Sequence, residues 1–167
     1  MKESTHSSDS VSVSNVPLVV DLDGTLIGSD TLWESILVLL RKKLSRVVYL
    51  PFWILRGKSY FKYRIAELVL PDAERLPYNQ EVLDFVVAAQ SSGRQVILAT
   101  AATEKVAHTV ASYIGGFEAV LASSEDINLK GALKLTAIRK YPSTKKGFEY
   151  IGDDQIDQII WEAAAIN

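Results

Sequence analysis

Asp21 and Asp23 stand two residues apart at the end of a short apolar run, Leu18–Asp21, and Gly24-Thr25 follows at once. Two steps along an extended chain return a side chain to the same side, so both carboxylates start toward one place. A carboxylate there can attack phosphorus and form an aspartyl-phosphate, which divides one hard hydrolysis into two easier steps. Two anions do not approach each other unaided, so this chemistry calls for a hard cation with oxygen ligands, and magnesium fits. Asp153, in the run Gly152-Asp153-Asp154, offers such an ion a second carboxylate. Thr100 and the backbone amides after it can hold phosphoryl oxygens at the start of a helix. Lys130 can neutralise the charge shared by Asp21 and the transferring group.

The composition leaves little else for chemistry. The chain has no cysteine and only two histidines, His6 and His108, far apart in sequence. Disulfides, thiolate zinc sites and thiol nucleophiles are therefore excluded. A net charge of −2 lacks the basic excess of a nucleic-acid binder. With 167 residues, 48% hydrophobic and 23% charged, the chain reads as one ordinary globular domain with room for a small insert. Residues 1–15 are Ser-rich without an apolar core and read as a disordered tail rather than a secretory signal. The most apolar stretch, Val47–Leu55, is about half the length that spans a bilayer.

Stepping along the chain, buried-type strand runs alternate with helical stripes. Leu18–Asp21, Val96–Thr100, Ala119–Ala122 and Phe148–Ile151 read as strands. A capping box of Thr31 and Glu34 predicts a helix running into 41–43. Phe61, Ile65 and Leu68 predict a second helix, stopped by Pro71; Val82, Phe85, Val86 and Ala89 predict a third, ended by Gly93. Further helices are expected around Val106–Ile114, Gly131–Lys140 and Ile156–Ala164. This order predicts an α/β fold: a Rossmann-like parallel sheet flanked by helices. In such a sheet, function gathers at the carboxyl ends of the strands, and every strand here ends in a residue able to bind a metal, a phosphate or a proton.

The ordered set VVDLDGTLI, VILAT, NLKG and YIGDDQID resembles the four-motif signature of the haloacid dehalogenase (HAD) superfamily over about residues 16–160. The wording DTLWES, LPYN, ATAA and NLKG is similar to the HAD-like domain that precedes the membrane domain in some UbiA-type prenyltransferase fusions. The resemblance implies that the main-chain carbonyl of Asp23 joins Asp21 and Asp153 as a magnesium ligand. The Asp23 side chain is then left to protonate the leaving oxygen and later to deprotonate water. It implies phosphate binding by Thr100, Ala101 and Lys130. In the GDxxxD pattern Asp157 becomes the second acid, orienting metal waters or Lys130, and Asp154 a helix-start residue. The presence of Asp23 argues against carbon–halogen chemistry, because the dehalogenases of the superfamily lack the second acid.

The resemblance also implies a mobile cap after the first strand. The chain then divides into a tail at 1–15, a core at 16–28 and 79–167, and a small helical cap at 29–78. Within it, residues 29–70 carry eight Lys or Arg against three Asp or Glu, while the rest of the chain carries ten against seventeen. Those basic residues flank Tyr49, Phe52 and Trp53. One reading is an ordinary lid packed on the core; the other is a peripheral contact with a membrane or a membrane domain. The expected activity is magnesium-dependent hydrolysis of a small phosphorylated substrate, a lipid-linked or sugar phosphate, in the cytoplasm. The alternative is a non-catalytic partner or regulatory domain of a membrane prenyltransferase.

Overall fold

A computed structural model describes residues 16–164. The tail expected at 1–15, with His6, lies outside the described residues. Among those described, the four apolar runs form parallel strands: β1 (Leu18–Val20), β2 (Val96–Thr103), β3 (Ala119–Ser123) and β4 (Glu149–Ile151). Their order across the sheet is β3-β2-β1-β4, with Leu18 opposite both Val96 and Glu149. Among the described residues there are seven α-helices: α1 (Thr31–Lys42), α2 (Leu50–Leu55), α3 (Lys58–Leu68), α4 (Gln80–Ser91), α5 (Glu104–Ile114), α6 (Ala132–Lys140) and α7 (Gln158–Trp161).

The alternation of side chains along the central strands builds two apolar layers. Leu18, Val20, Val96 and Leu98 pack against α4 and α5, while Val19, Ile97 and Ala99 pack against α6, α7, Phe148 and Tyr150. Both faces are covered, which is why these strands are uninterrupted apolar runs rather than alternating ones. A fully buried aliphatic side chain contributes about 1.5–3 kcal/mol, so these layers hold the sheet and the loops at its carboxyl edge in fixed positions.

The insertion between β1 and β2 has its own small core of Leu39, Trp53, Ile65 and Val69. Its two stems run side by side, with Gly28 N–H donating to the Pro77 carbonyl and Asn79 N–H to that of Leu26. Pro51 does not break the Val47–Leu55 stretch. It sits in the first turn of α2, where a missing N–H costs nothing, after a 3-10 run over Leu44–Tyr49.

Two expected helix boundaries differ. The cap of α1 is Asp30, whose side chain accepts from Leu32 N–H, and Glu34 accepts from Ser29 Oγ rather than closing a box with Thr31. The helix expected over Ile156–Ala164 is a 3-10 turn, Gln155–Asp157, followed by the single turn of α7. The cause is Asp157, drawn inward to partners in the core. Among the described residues no helix is long and apolar enough to cross a membrane.

Candidate active site

From β1 the chain moves outward to β2 and β3, then returns past β1 to β4, so the strand order reverses at β1. Open α/β sheets form their ligand crevice at such a point, outside the carboxyl ends of the strands. A cavity of about 500 Å³ lies there. Asp21, Asp23, Ala101, Lys130, Asp153 and Asp157 all line it.

Asp21 follows β1 directly and is tied to the neighbouring strand by its N–H, which donates to the Ile151 carbonyl. Its carboxylate is buried, with Oδ1 3.2 Å from Nζ of Lys134. Burial raises the Asp21 carboxyl to about 6, against the opposing pull of that ammonium. Lys134 is only 2% exposed and Asp157 1%. The lysine reaches Asp157 Oδ2 at 3.1 Å and donates to the Tyr150 hydroxyl at 3.0 Å, while that hydroxyl donates to Asp157 Oδ2 at 2.5 Å. Burial, with the carboxylates of Asp21 and Asp157 beside it, pushes the Tyr150 phenol far above its ordinary range.

The contact with Asp21 assigned from sequence to Lys130 is thus made by Lys134. Lys130 lies at the half-exposed rim and pairs with Asp154 at 2.7 Å. That hydrogen bond raises the lysine and lowers the carboxyl. Asp154 also starts the 3-10 turn by accepting from Ile156 N–H. Lys134 and Tyr150 were missed because one lies inside a helical segment and the other inside a strand run.

Asp23 is held by the insertion. Its Oδ1 accepts from Thr31 N–H at 2.8 Å, at the N-terminus of α1. Burial raises its carboxyl and the Thr31 hydrogen bond opposes the rise. Gly24 has φ +79°, and a Cβ there would fall 2.3 Å from Oδ2 of Asp153, so only glycine allows the turn and the close approach together. Thr25 Oγ1 donates to Asp153 Oδ1 at 3.2 Å and steadies that exposed carboxylate. Thr100 is not brought to the cavity surface. It is fully buried, and its Oγ1 accepts from Ala102 N–H. Ala101 does reach the site; its carbonyl accepts from Ser123 Oγ and from Nζ of Lys62. His108 is exposed on α5.

Lys62 is a residue that the sequence did not single out. It lies on α3 of the insertion, is nearly buried, and donates to Ala101 at 3.0 Å. Burial lowers its ammonium, and the charges of Asp23 and Asp30 oppose that shift. With Lys58 one turn earlier, it brings positive charge to the roof of the cavity. Six carboxylates and four lysines line the space in all, an excess of acid. Among the described residues no group of three acids or histidines converges as a ready-made metal cage. Magnesium needs none: it keeps several waters and takes one or two carboxylates. Asp21, Asp153 and the Asp23 carbonyl are hard oxygen donors, and a divalent cation would offset the acid excess. The donor set fits that ion.

No family model matches the sequence. The chain is 36% identical over 151 residues to the uncharacterized protein y4nM of Sinorhizobium fredii, which covers 90% of this chain and 29% of that protein. The chain therefore spans under a third of the length of that relative. Among solved structures it is similar to a HAD family hydrolase of Salmonella enterica serovar Typhi, with a TM-score of 0.63 and 12% identity over 90% of this chain and 60% of that one. It is also similar to a phosphoserine phosphohydrolase-like protein of Francisella tularensis, with a TM-score of 0.53 and 16% identity over 88% of this chain and 82% of that one. The chain has the fold of these HAD-like proteins.

Proposed function

We propose that the chain is a magnesium-dependent phosphatase that hydrolyses a phosphomonoester through an aspartyl-phosphate on Asp21. The observation that carries this reading is the Asp21 carboxylate, set at the strand-order reversal against the buried ammonium of Lys134 and bordering a polar cavity. Asp21 attacks phosphorus, and Lys134 offsets the negative charge gathering on the nucleophile and the transferring group. Asp23 acts as the acid. Its pKa, raised by burial, suits a group that must hold a proton for the leaving oxygen and then take one from water. Thr31 N–H anchors Oδ1 of Asp23 and keeps the carboxyl at the cavity. The carboxylates of Asp21 and Asp153 and the carbonyl of Asp23 would hold magnesium, which supplies divalent charge to bring two anions together. Asp157 and Tyr150 keep Lys134 aimed at Asp21. Lys58 and Lys62 add positive charge on the insertion side, for the anionic end of a sugar or lipid-linked phosphate.

The test is phosphate release from an aryl phosphate and from a panel of sugar and lipid phosphates, with magnesium and with chelator. Turnover should need magnesium. Asp21→Asn should lose several orders of magnitude, as the removal of other covalent nucleophiles does. Near-parental rates in Asp21→Asn would remove the nucleophile assignment.

A further inference from the structure

Between Glu34 and Glu67 the chain carries eight Lys or Arg and no Asp or Glu. The structure sorts the apolar residues of this segment into two groups. Leu39, Trp53 and Ile65 form the small core of the insertion, and Arg64 lies over the Trp53 ring. Trp53 is only 9% exposed and so is no anchor. The second group faces outward. Trp33, Leu37 and Leu40 recur at helical spacing along the solvent side of α1, with Trp33 64% exposed. Val48, in the adjoining 3-10 run, and Phe52 and Leu55, in α2, are exposed as well, Phe52 at 66% and Leu55 at 85%. Arg41, Lys42, Arg46 and Arg56 stand exposed in the same segment, and none is in an ion pair among the described residues.

We propose that the exposed apolar and basic stretch of the insertion from Trp33 to Arg56 docks on the surface of an anionic lipid bilayer. Soluble surfaces rarely leave so many large apolar tips in one region without an interaction to serve. Trp, Phe and Arg also suit protein interfaces, so charge decides the occupant: eight basic residues with no acid between Glu34 and Glu67 complement a surface of uniform negative charge. Apolar tips and Lys or Arg in one stretch, with no acid between Glu34 and Glu67, are the pattern of a segment that sinks to the level of the headgroups and meets negative charge there. Among the described residues no helix is long and apolar enough to span the bilayer, so the proposed contact is peripheral. The catalytic reading and this surface are independent of each other.

Sedimentation of the full chain with vesicles tests the proposal, using phosphatidylcholine alone and phosphatidylcholine with one-third phosphatidylglycerol. Binding should occur to the anionic vesicles at low salt and fall by about tenfold or more near 1 M salt, where the screening length is only about 3 Å. The pair Phe52→Ser/Leu55→Ser should bind at least several-fold more weakly while keeping the parental circular dichroism and the parental rate on a soluble phosphomonoester. Lys145→Ala/Lys146→Ala, exposed lysines on the core, should bind like the parent. Absence of binding to anionic vesicles, equal binding to neutral ones, or a cap pair that binds unchanged would each overturn the proposal. So would concentration-dependent self-association abolished by the cap pair without vesicle binding, which would give the face to a second copy of the chain.

Discussion

Lys134 carries much of the site because it is a charge with no water to fall back on. It is enclosed by the carboxylates of Asp21 and Asp157 and the Tyr150 hydroxyl. Lys134→Ala leaves two buried carboxylates facing each other, so it should cost about 3–5 kcal/mol of stability as well as activity. Lys130→Ala, which breaks a half-exposed pair, should cost no more than about 1 kcal/mol. Denaturant titration of both variants checks this, and the reverse ranking would contradict the assignment. The two lysines were hard to tell apart in sequence, since Lys130 lies in the loop between β3 and α6, where a strand-end site is expected. The helix supplies the missing geometry: Lys134 is the third residue of α6, and helical side chains lean toward the N-terminus, back toward the strand ends. Asp21 gives a second prediction. Burial raises its carboxyl from 3.8 to about 6 in the metal-free chain. The folded state thus keeps a proton that the unfolded state has shed, and stability falls as pH rises through that window. Asp21→Asn cannot ionise, so in metal-free buffer its stability relative to the parent should rise by up to about 3 kcal/mol between about pH 4 and pH 7. A difference that stays flat with pH would show that Asp21 titrates normally.

At the scale of elements, α1 couples the insertion to the chemistry. Its first N–H groups are shared between Asp30, which caps Leu32, and Asp23, which accepts from Thr31. The helix N-terminus is a favourable place for a carboxylate, so forming α1 also holds the proposed acid. Asp30→Ala should cost about 1 kcal/mol, the usual penalty for losing such a cap, measurable by thermal or denaturant unfolding. Thr31→Ala should cost less, because its N–H remains. If Thr31→Ala were the worse variant, the capping box expected from sequence would be right after all. Strand positions and most helices were legible because continuous apolar runs and helical stripes mark buried layers directly. The last helix was not. Its apolar pattern suits a full helix, but the pull of Lys134 and Tyr150 on Asp157 bends the first turn into 3-10 form, a long-range effect that local periodicity does not contain.

For the whole molecule, the excursion between β1 and β2 places its own core above the carboxyl edge of the sheet. Lys62 ties it down at the cavity through the Ala101 carbonyl, and the Glu67–Lys105 ion pair joins α3 to α5. Six of the sequence candidates, Asp21, Asp23, Ala101, Lys130, Asp153 and Asp157, meet at one cavity, because the strand order brings widely separated strand ends together. Thr100 turns inward, and the two insertion lysines were illegible because nothing in a basic helix tells which residue folds over a site. The claim that binds these parts is a covalent phosphoryl-enzyme on Asp21. The most direct measurement is acid-quenched mass spectrometry of peptides from the parent, Asp23→Asn and Asp21→Asn chains after brief mixing with magnesium and an aryl phosphate. The account predicts a phosphate adduct on the peptide containing Asp21 in the parent, accumulating in Asp23→Asn and absent from Asp21→Asn. Phosphate release without any adduct, or an adduct on another residue, would contradict it.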